Sequence, residues 1–207
     1  VLVSGQTYTF AEVAQKAYLA RISLSATGFY KTPKVEWDRI KGAGRPFFYF
    51  AYGLAATEVV VDGLTGENRI LRVDILHDAG ASLNPSLDIG QIEGGYVQGA
   101  GWLTTEELVW DEAGRLRTHA PSTYKIPACP DRPDVFNVAL WDAPNREETV
   151  YRSKAVGEPP LMLGISAFSA LSDAVQAFGP EYADLQTPAT AEAAFHAIAR
   201  AKGEAKH

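Results

Sequence analysis

The chain has 207 residues, 46% of them apolar, and a formal net charge of −6 at neutral pH. That length can bury one sizeable core or two small ones, and an acidic balance with no compensating basic face argues against a nucleic-acid partner. A single cysteine, Cys129, excludes a disulfide framework and a cysteine-based metal site within the chain.

Cys129 stands between Pro127 and Pro130 with no histidine near it, which favours a packed small side chain over a nucleophile. No apolar stretch is long enough to span a membrane, and the first residues lack the basic-then-apolar pattern of a signal peptide. The single methionine is Met162, and Val1-Leu2-Val3-Ser4 reads as the middle of something. The expectation is a C-terminal piece of a larger polypeptide.

In chain order, Thr9-Phe10-Ala11-Glu12 fits a capping box. Phe10, Val13, Ala14, Ala17 and Arg21 share the face of a helix expected from Phe10 to Ala20. Ser25 to Trp37 reads as irregular, with Phe29 and Tyr30 either ligand-facing or, in the commoner use of such a pair, core or rim aromatics. Phe47 to Tyr52 reads as an aromatic strand. Ala55 to Asp62 and Arg69 to His77 read as two more, around a turn at Leu64–Asn68, forming a hairpin or meander with one buried face. Asp78 to Pro85 is a loop of small residues and turn formers, either an ordinary connection or a presenter of backbone amides.

Asp88 to Trp102 reads as a helix with Gln91, Gly94, Gly95, Gln98 and Trp102 on one side. Each interior glycine costs about 1 kcal/mol relative to alanine. Close approach of another backbone or of a flat ligand would offset that cost. The glutamines would then give directed hydrogen bonds, either to the ligand or to neighbouring backbone, and spacing alone does not choose between them.

Further on, Trp110 to Arg115 reads as a hairpin turn and Pro121 to Pro127 as a short extended piece. Val135 to Trp141 reads as a strand and Thr149 to Val156 as an extended lead-in. The lead-in ends in Lys154-Ala155-Val156-Gly157-Glu158-Pro159-Pro160-Leu161. Pro159 should push Glu158 to extended backbone, just ahead of a helix that Pro159 and Pro160 can start. In that helix Ser166, Ser169, Asp173 and Gln176 form the polar stripe, and Gly179-Pro180 stops it. Glu158 would be a stiffly held carboxylate near a helix N-terminus against an apolar wall, suited to a general base or merely to capping. Thr190 should cap a last helix that buries Ala194, Phe195, Ile198 and Ala199, and Lys202 to His207 reads as a frayed tail. His77, His119, His196 and His207 are scattered without metal-ligand spacing, and no P-loop or dinucleotide fingerprint is present.

Ser82-Leu83-Asn84-Pro85, Asp88-Ile89-Gly90-Gln91-Ile92-Glu93-Gly94, Val97-Gln98-Gly99, Pro121 to Pro127, Lys154 to Leu161 and Thr187-Pro188-Ala189-Thr190 occur in register. Together, from about Leu24 to Ala199, they resemble the molybdopterin-site segments of xanthine dehydrogenases, in particular the C-terminal part of the molybdenum-binding chain of a bacterial one. The resemblance implies an α+β fold of mixed strands and helices, all of it a C-terminal portion of the molybdopterin-binding domain of a molybdenum hydroxylase. It implies a metal held by pterin sulfurs and not by protein side chains, in agreement with the missing Cys and His clusters. Glu158 falls on the family's catalytic glutamate, which takes a proton from a molybdenum-bound hydroxide as its oxygen attacks a purine ring carbon and hydride passes to a sulfido ligand. Gln98 falls on a glutamine that hydrogen-bonds the metal's oxo group. Gly80, Ser82 and Asn84, with the face carrying Gln91, would cradle the pterin.

The resemblance further implies that hypoxanthine becomes xanthine and xanthine urate, with water as oxygen source. Electrons would leave through 2Fe-2S clusters and FAD, on other segments or a partner subunit, to NAD. The purine-orienting residues would lie upstream in the same chain, in a cytoplasmic hetero-oligomer such as α2β2. An aldehyde oxidase of the same architecture and a non-catalytic cofactor-binding module are the alternatives.

Overall fold

The computed structural model describes residues 1–204, with a boundary between two units at Phe48 and Tyr49. In the first unit Leu2–Val3 (β1) pairs with Gln6–Thr7 (β2). The expected capping box then starts a helix at Phe10–Leu19 (α1): Thr9 Oγ1 accepts from Glu12 N–H at 3.2 Å, and the Glu12 carboxylate accepts from Thr9 N–H at 2.8 Å. No residue of α1 is fully buried, and Phe10 is 81% exposed. Phe29 and Tyr30 are exposed too, so they pack neither core nor rim within this unit. Inside the stretch expected to be irregular, Glu36–Asp38 (β3) begins a hairpin with Ala43–Arg45 (β4). Gly44 takes a φ of +132°, where a Cβ would run into the Glu36 carbonyl.

The aromatic run Phe47 to Tyr52 is not a strand. Its carbonyls bond elsewhere than in a ladder. The Arg45 guanidinium donates to Phe47 O at 3.3 Å and to Phe48 O at 2.9 Å, and Lys154 Nζ donates to Phe50 O at 2.9 Å. Strand propensity reports a fit to a paired, half-buried surface and not an intrinsic backbone preference.

The second unit holds the hairpin. Gly53–Val61 (β5) runs antiparallel to Asn68–His77 (β6), with a bulge between Glu58 and Val59. The Asp62 carboxylate accepts the N–H groups of Leu64 at 2.7 Å and Thr65 at 3.1 Å, which shapes the turn and lowers its pKa below the ordinary carboxylate value. Pro85–Thr104 (α2) follows, with Asn84 as N-cap and Pro85 in its first turn. Val135–Leu140 (β7) then joins the free side of β6 in parallel, giving the order β5-β6-β7. Ile165–Gln176 (α3) and Ala191–Ala201 (α4) complete the unit, α4 capped by Thr190 Oγ1 accepting from Ala193 N–H at 3.2 Å.

The main core is where α2 meets the sheet: Ile92, Tyr96 and Ala100 bury against Val73 and Ile75 of β6 and Ala167 of α3. Tyr96 takes its hydroxyl into the core and satisfies it on Thr57 Oγ1 at 2.9 Å, which in turn meets Ser166 Oγ at 2.7 Å. Burial raises the Tyr96 pKa above its ordinary value. A second cluster joins Val175 to Ala183, Ala194, Ala197, Ile198 and Ala201. The buried stripe of α4 is therefore mostly alanine, and Phe195, expected inside, is 43% exposed. Small side chains let α4 lie close, with its Phe195 N–H near Gly66. Truncating the cap, Thr190→Ala, is expected to lower unfolding stability by about 1 kcal/mol, readable as a lower denaturant midpoint.

Four further expectations change. Pro121 to Tyr124 is a turn closed by Thr123 and Tyr124 N–H on Ala120 O, not an extended piece. Thr149 to Val156 contains a 3-10 turn, Val150–Arg152, with Tyr151 at φ +51°. Cys129 is exposed, at the start of a 3-10 turn that Asp131 organises by accepting Ala128 N–H at 2.7 Å and Lys125 Nζ at 2.9 Å. At the C-terminal end, Lys202, Gly203 and Glu204 still donate to carbonyls of α4, so they are not frayed; Ala205 to His207 lie outside the described residues. The expected hairpin turn at Trp110 to Arg115 is present, closed by a bridge from Trp110 to Leu116.

His77 ends β6 fully buried at 1% exposure, and neither ring nitrogen has a hydrogen-bond partner. Burial lowers its pKa from the ordinary 6.5, so the folded chain holds it neutral. As pH falls below 6.5 the unfolded chain takes up a proton that folded His77 resists, so stability drops with pH through that window until the depressed folded value is reached. His77→Leu is expected to flatten this slope, measured as unfolding midpoints from about pH 8 down to about pH 5.

Candidate functional site

The site is built on a seam between α2 and the segment after Gly157. Pro159 to Gly164 forms a 3-10 helix that runs directly into α3. It lies against α2 through glycines. A Cβ on Gly95 would stand 2.8 Å from Pro160 Cβ, one on Gly99 would overlap the Leu161 carbonyl, and one on Gly164 would reach 2.5 Å from Ala100 N. The glycine face of α2 therefore divides. Gly95 and Gly99 receive another backbone, whereas Gly90 and Gly94 have nothing within 4 Å.

Glu158 sits at the mouth of this seam. Its backbone is helical (φ −92°, ψ −41°), not extended, because its carbonyl accepts Leu161 N–H at 3.1 Å and closes the 3-10 turn. That bond outweighs the preference of a residue before proline. Its side chain is exposed, caps nothing, and makes no hydrogen bond among the described residues. The α-helix starts only at Ile165, so no α-helical dipole acts on the carboxylate at close range. The adjoining Gly157 stands beside α2: a Cβ there would lie 3.8 Å from Gln91 Oε1.

Gln91 and Gln98 lie on the open stripe of α2 with Gly94 and Trp102, all exposed. Neither glutamine makes a hydrogen bond among the described residues, so the alternative of amides bonded to neighbouring backbone is not realised. The loop before α2 is tied differently. Gly80, at φ +64°, packs where a Cβ would stand 2.5 Å from the Arg152 carbonyl, and bridges to Ser153. Ser82 Oγ donates to Asp88 at 2.5 Å, and Asn84 Oδ1 caps α2 by accepting Leu87 N–H at 3.3 Å. Those side chains shape the loop, while the backbone N–H groups of Ser82, Leu83 and Asn84 bond nothing among the described residues. A cavity of about 230 Å³, lined by Ile70, Tyr96, Ala100, Thr104, Pro127 and Asp131, lies on the other side of α2.

Two residues not singled out in the sequence complete the frame. Lys154 Nζ donates to Asp78 Oδ2 at 2.6 Å, with side chains only 9% and 17% exposed. Asp78 Oδ1 also accepts Gly80 N–H at 2.9 Å.

These residues fit a polar group held by hydrogen bonds. No cluster of His, Cys, Asp or Glu able to hold a metal ion occurs among the described residues. What the chain offers is open space over Gly90 and Gly94, two carboxamides and three backbone amides unbonded among the described residues, and one carboxylate. No helix among the described residues is long and apolar enough to cross a membrane.

Residues 1–133 match the molybdopterin cofactor-binding domain family. A xanthine dehydrogenase/oxidase of Rattus norvegicus is 50% identical over 184 residues, covering 85% of this chain and 14% of that protein. A xanthine dehydrogenase of Oryza sativa subsp. japonica is 45% identical over 200 residues, covering 91% and 15%. Among solved structures, the aldehyde oxidoreductase of Desulfovibrio gigas superposes with a TM-score of 0.70 at 26% identity, over 94% of this chain and 20% of that one. The chain thus spans about 14% of the length of the curated relatives it matches.

Proposed function

This chain belongs to the molybdopterin cofactor-binding domain family, and from that premise we propose that it is a C-terminal portion of the molybdenum-binding part of a xanthine dehydrogenase, with Glu158 as the general base. The observation that carries the reading is the juxtaposition at the seam: an exposed, unbonded carboxylate follows a glycine that stands against Gln91, on the open side of α2. When bound, the molybdenum cofactor supplies the redox centre and the oxygen-transfer chemistry of the family.

The chain's own residues would do the rest. Glu158 accepts and later returns a proton, and its carboxylate oxygens are available because no other described residue claims them. Gln91 and Gln98 present carboxamides to the cofactor from one helix face, and the N–H groups of Ser82, Leu83 and Asn84 present donors from the loop before it. Gly80, Ser82 and Asn84 hold that loop in shape. The substrates would be hypoxanthine and xanthine. Its partners would be the upstream part of the same chain and segments or a subunit bearing 2Fe-2S clusters and FAD, passing electrons to NAD in a cytoplasmic hetero-oligomer such as α2β2.

Elemental analysis and anaerobic mixing of the full-length protein with xanthine test the reading. The expected result is stoichiometric molybdenum and prompt reduction of the protein by xanthine. A full-length protein without molybdenum would point to a non-catalytic module. One reduced by aldehydes and not by xanthine would leave the base in place and remove the purine.

A further inference from the structure

We propose that Lys154 and Asp78 are a positioning pair that holds the Glu158 loop and the Gly80–Asn84 loop in one fixed relation. This rests on the reading of Glu158 as the base. The Lys154 ammonium, almost out of solvent, donates to Asp78 Oδ2 at 2.6 Å and to Phe50 O at 2.9 Å, and lies 5.4 Å from the centre of the Tyr52 ring. The other Asp78 oxygen accepts Gly80 N–H at 2.9 Å. One carboxylate therefore grips both loops.

The backbones are tied at the same place. Lys154 N–H donates to Ala79 O at 2.8 Å, Ala81 N–H to Arg152 O at 2.9 Å, and Ala155 N–H to Tyr49 Oη at 2.9 Å. Only Val156 and Gly157 then separate the anchored stretch from Glu158. A buried ion pair contributes little net stability compared with apolar packing, yet its strict demand for a partner fixes geometry. A base is useful only when held within a fraction of an ångström of its working position.

The test uses the full-length protein with its cofactor. Lys154→Met keeps the stem and removes the charge; Lys154→Met/Asp78→Asn removes both charges, so no ion is left buried alone. Both variants are expected to lose kcat by about 10- to 100-fold, with KM and molybdenum content close to wild type. Amide exchange is expected to accelerate at least about tenfold at Gly80, Ala81 and Ala155, whose N–H groups are bonded at this place, and to stay unchanged in α4. A kcat within about threefold of wild type, or unchanged exchange in those segments, overturns the proposal. So does loss of molybdenum together with loss of protection in α4, or failure of both variants to fold, since each assigns the pair a role in stability alone. Glu158→Gln, run in parallel, separates the two readings. If it is dead while Lys154→Met is not, the clamp fails and the base stands. If it is active, the base fails and the exchange data decide the clamp.

Discussion

Replacing Glu158 by glutamine in the full-length protein is expected to lower turnover by several orders of magnitude while molybdenum content stays near normal. Glutamine keeps the size and the hydrogen-bonding reach but cannot take a proton at neutral pH. General-base catalysis is ordinarily worth about 10²–10⁴ in rate, so a loss of less than tenfold would count against the role. Cofactor content should hold because the Glu158 side chain is exposed and bonds no other described residue, and the turn it begins is closed by its backbone carbonyl. Measured together, kcat and bound molybdenum separate a lost proton acceptor from a lost cofactor.

The second large effect is expected at Gly99. A valine there must place its Cβ where the Leu161 carbonyl stands, and 3.4 Å from Gly164 Cα. The obstacle is backbone on both sides, so no rotamer relieves it. Overpacking of cores ordinarily costs about 1–3 kcal/mol, and a clash with backbone belongs at or above the upper end. The expected outcome of Gly99→Val is little or no folded protein, seen as lost expression or a melting temperature lower by many degrees. Gly94→Ala is the contrast. Its Cβ would meet nothing within 4 Å, so the fold should be intact and helix propensity improved. Any fall in molybdenum content of Gly94→Ala would then report what lies over the open stripe. Normal folding of Gly99→Val would show that the seam is not closed as described.

What was legible in the sequence was set by local rules. Thr9 with Glu12, and Thr190 before its helix, announce α-helix starts because a hydroxyl three residues ahead of an N–H satisfies it in nearly any context. The strands β5 and β6 follow from two apolar-rich runs around the turn formers between Leu64 and Asn68, whereas the turn's organiser, Asp62, was read only as the end of a strand. The glycines of α2 pointed to a close approach, and the structure shows its partner for Gly95 and Gly99. The remainder depended on particular hydrogen bonds and packing that no local pattern announces. Glu158 leaves the extended region because Leu161 claims its carbonyl; Phe47 to Tyr52 fails as a strand because Arg45 and Lys154 take its carbonyls. Phe195 faces outward because alanines, and not the aromatic ring, line the contact of α4. Lys154 and Asp78 gave no sign of each other, since 76 residues separate them.

The parallel pairing of β7 with β6 bears on how the chain emerges from the ribosome. Asn137 of β7 bonds Asp74 of β6 across 63 residues of sequence. The β5–β6 hairpin can close as soon as it is made, but its outer edge must await that later strand. At roughly 5–20 residues per second of synthesis, the wait is about 3–12 s, long compared with the microseconds a hairpin needs to form. During it, an unpaired strand edge is open to any other nascent chain. Arg72 and Asp74, side by side in charge on that strand, stand as gatekeepers over the interval.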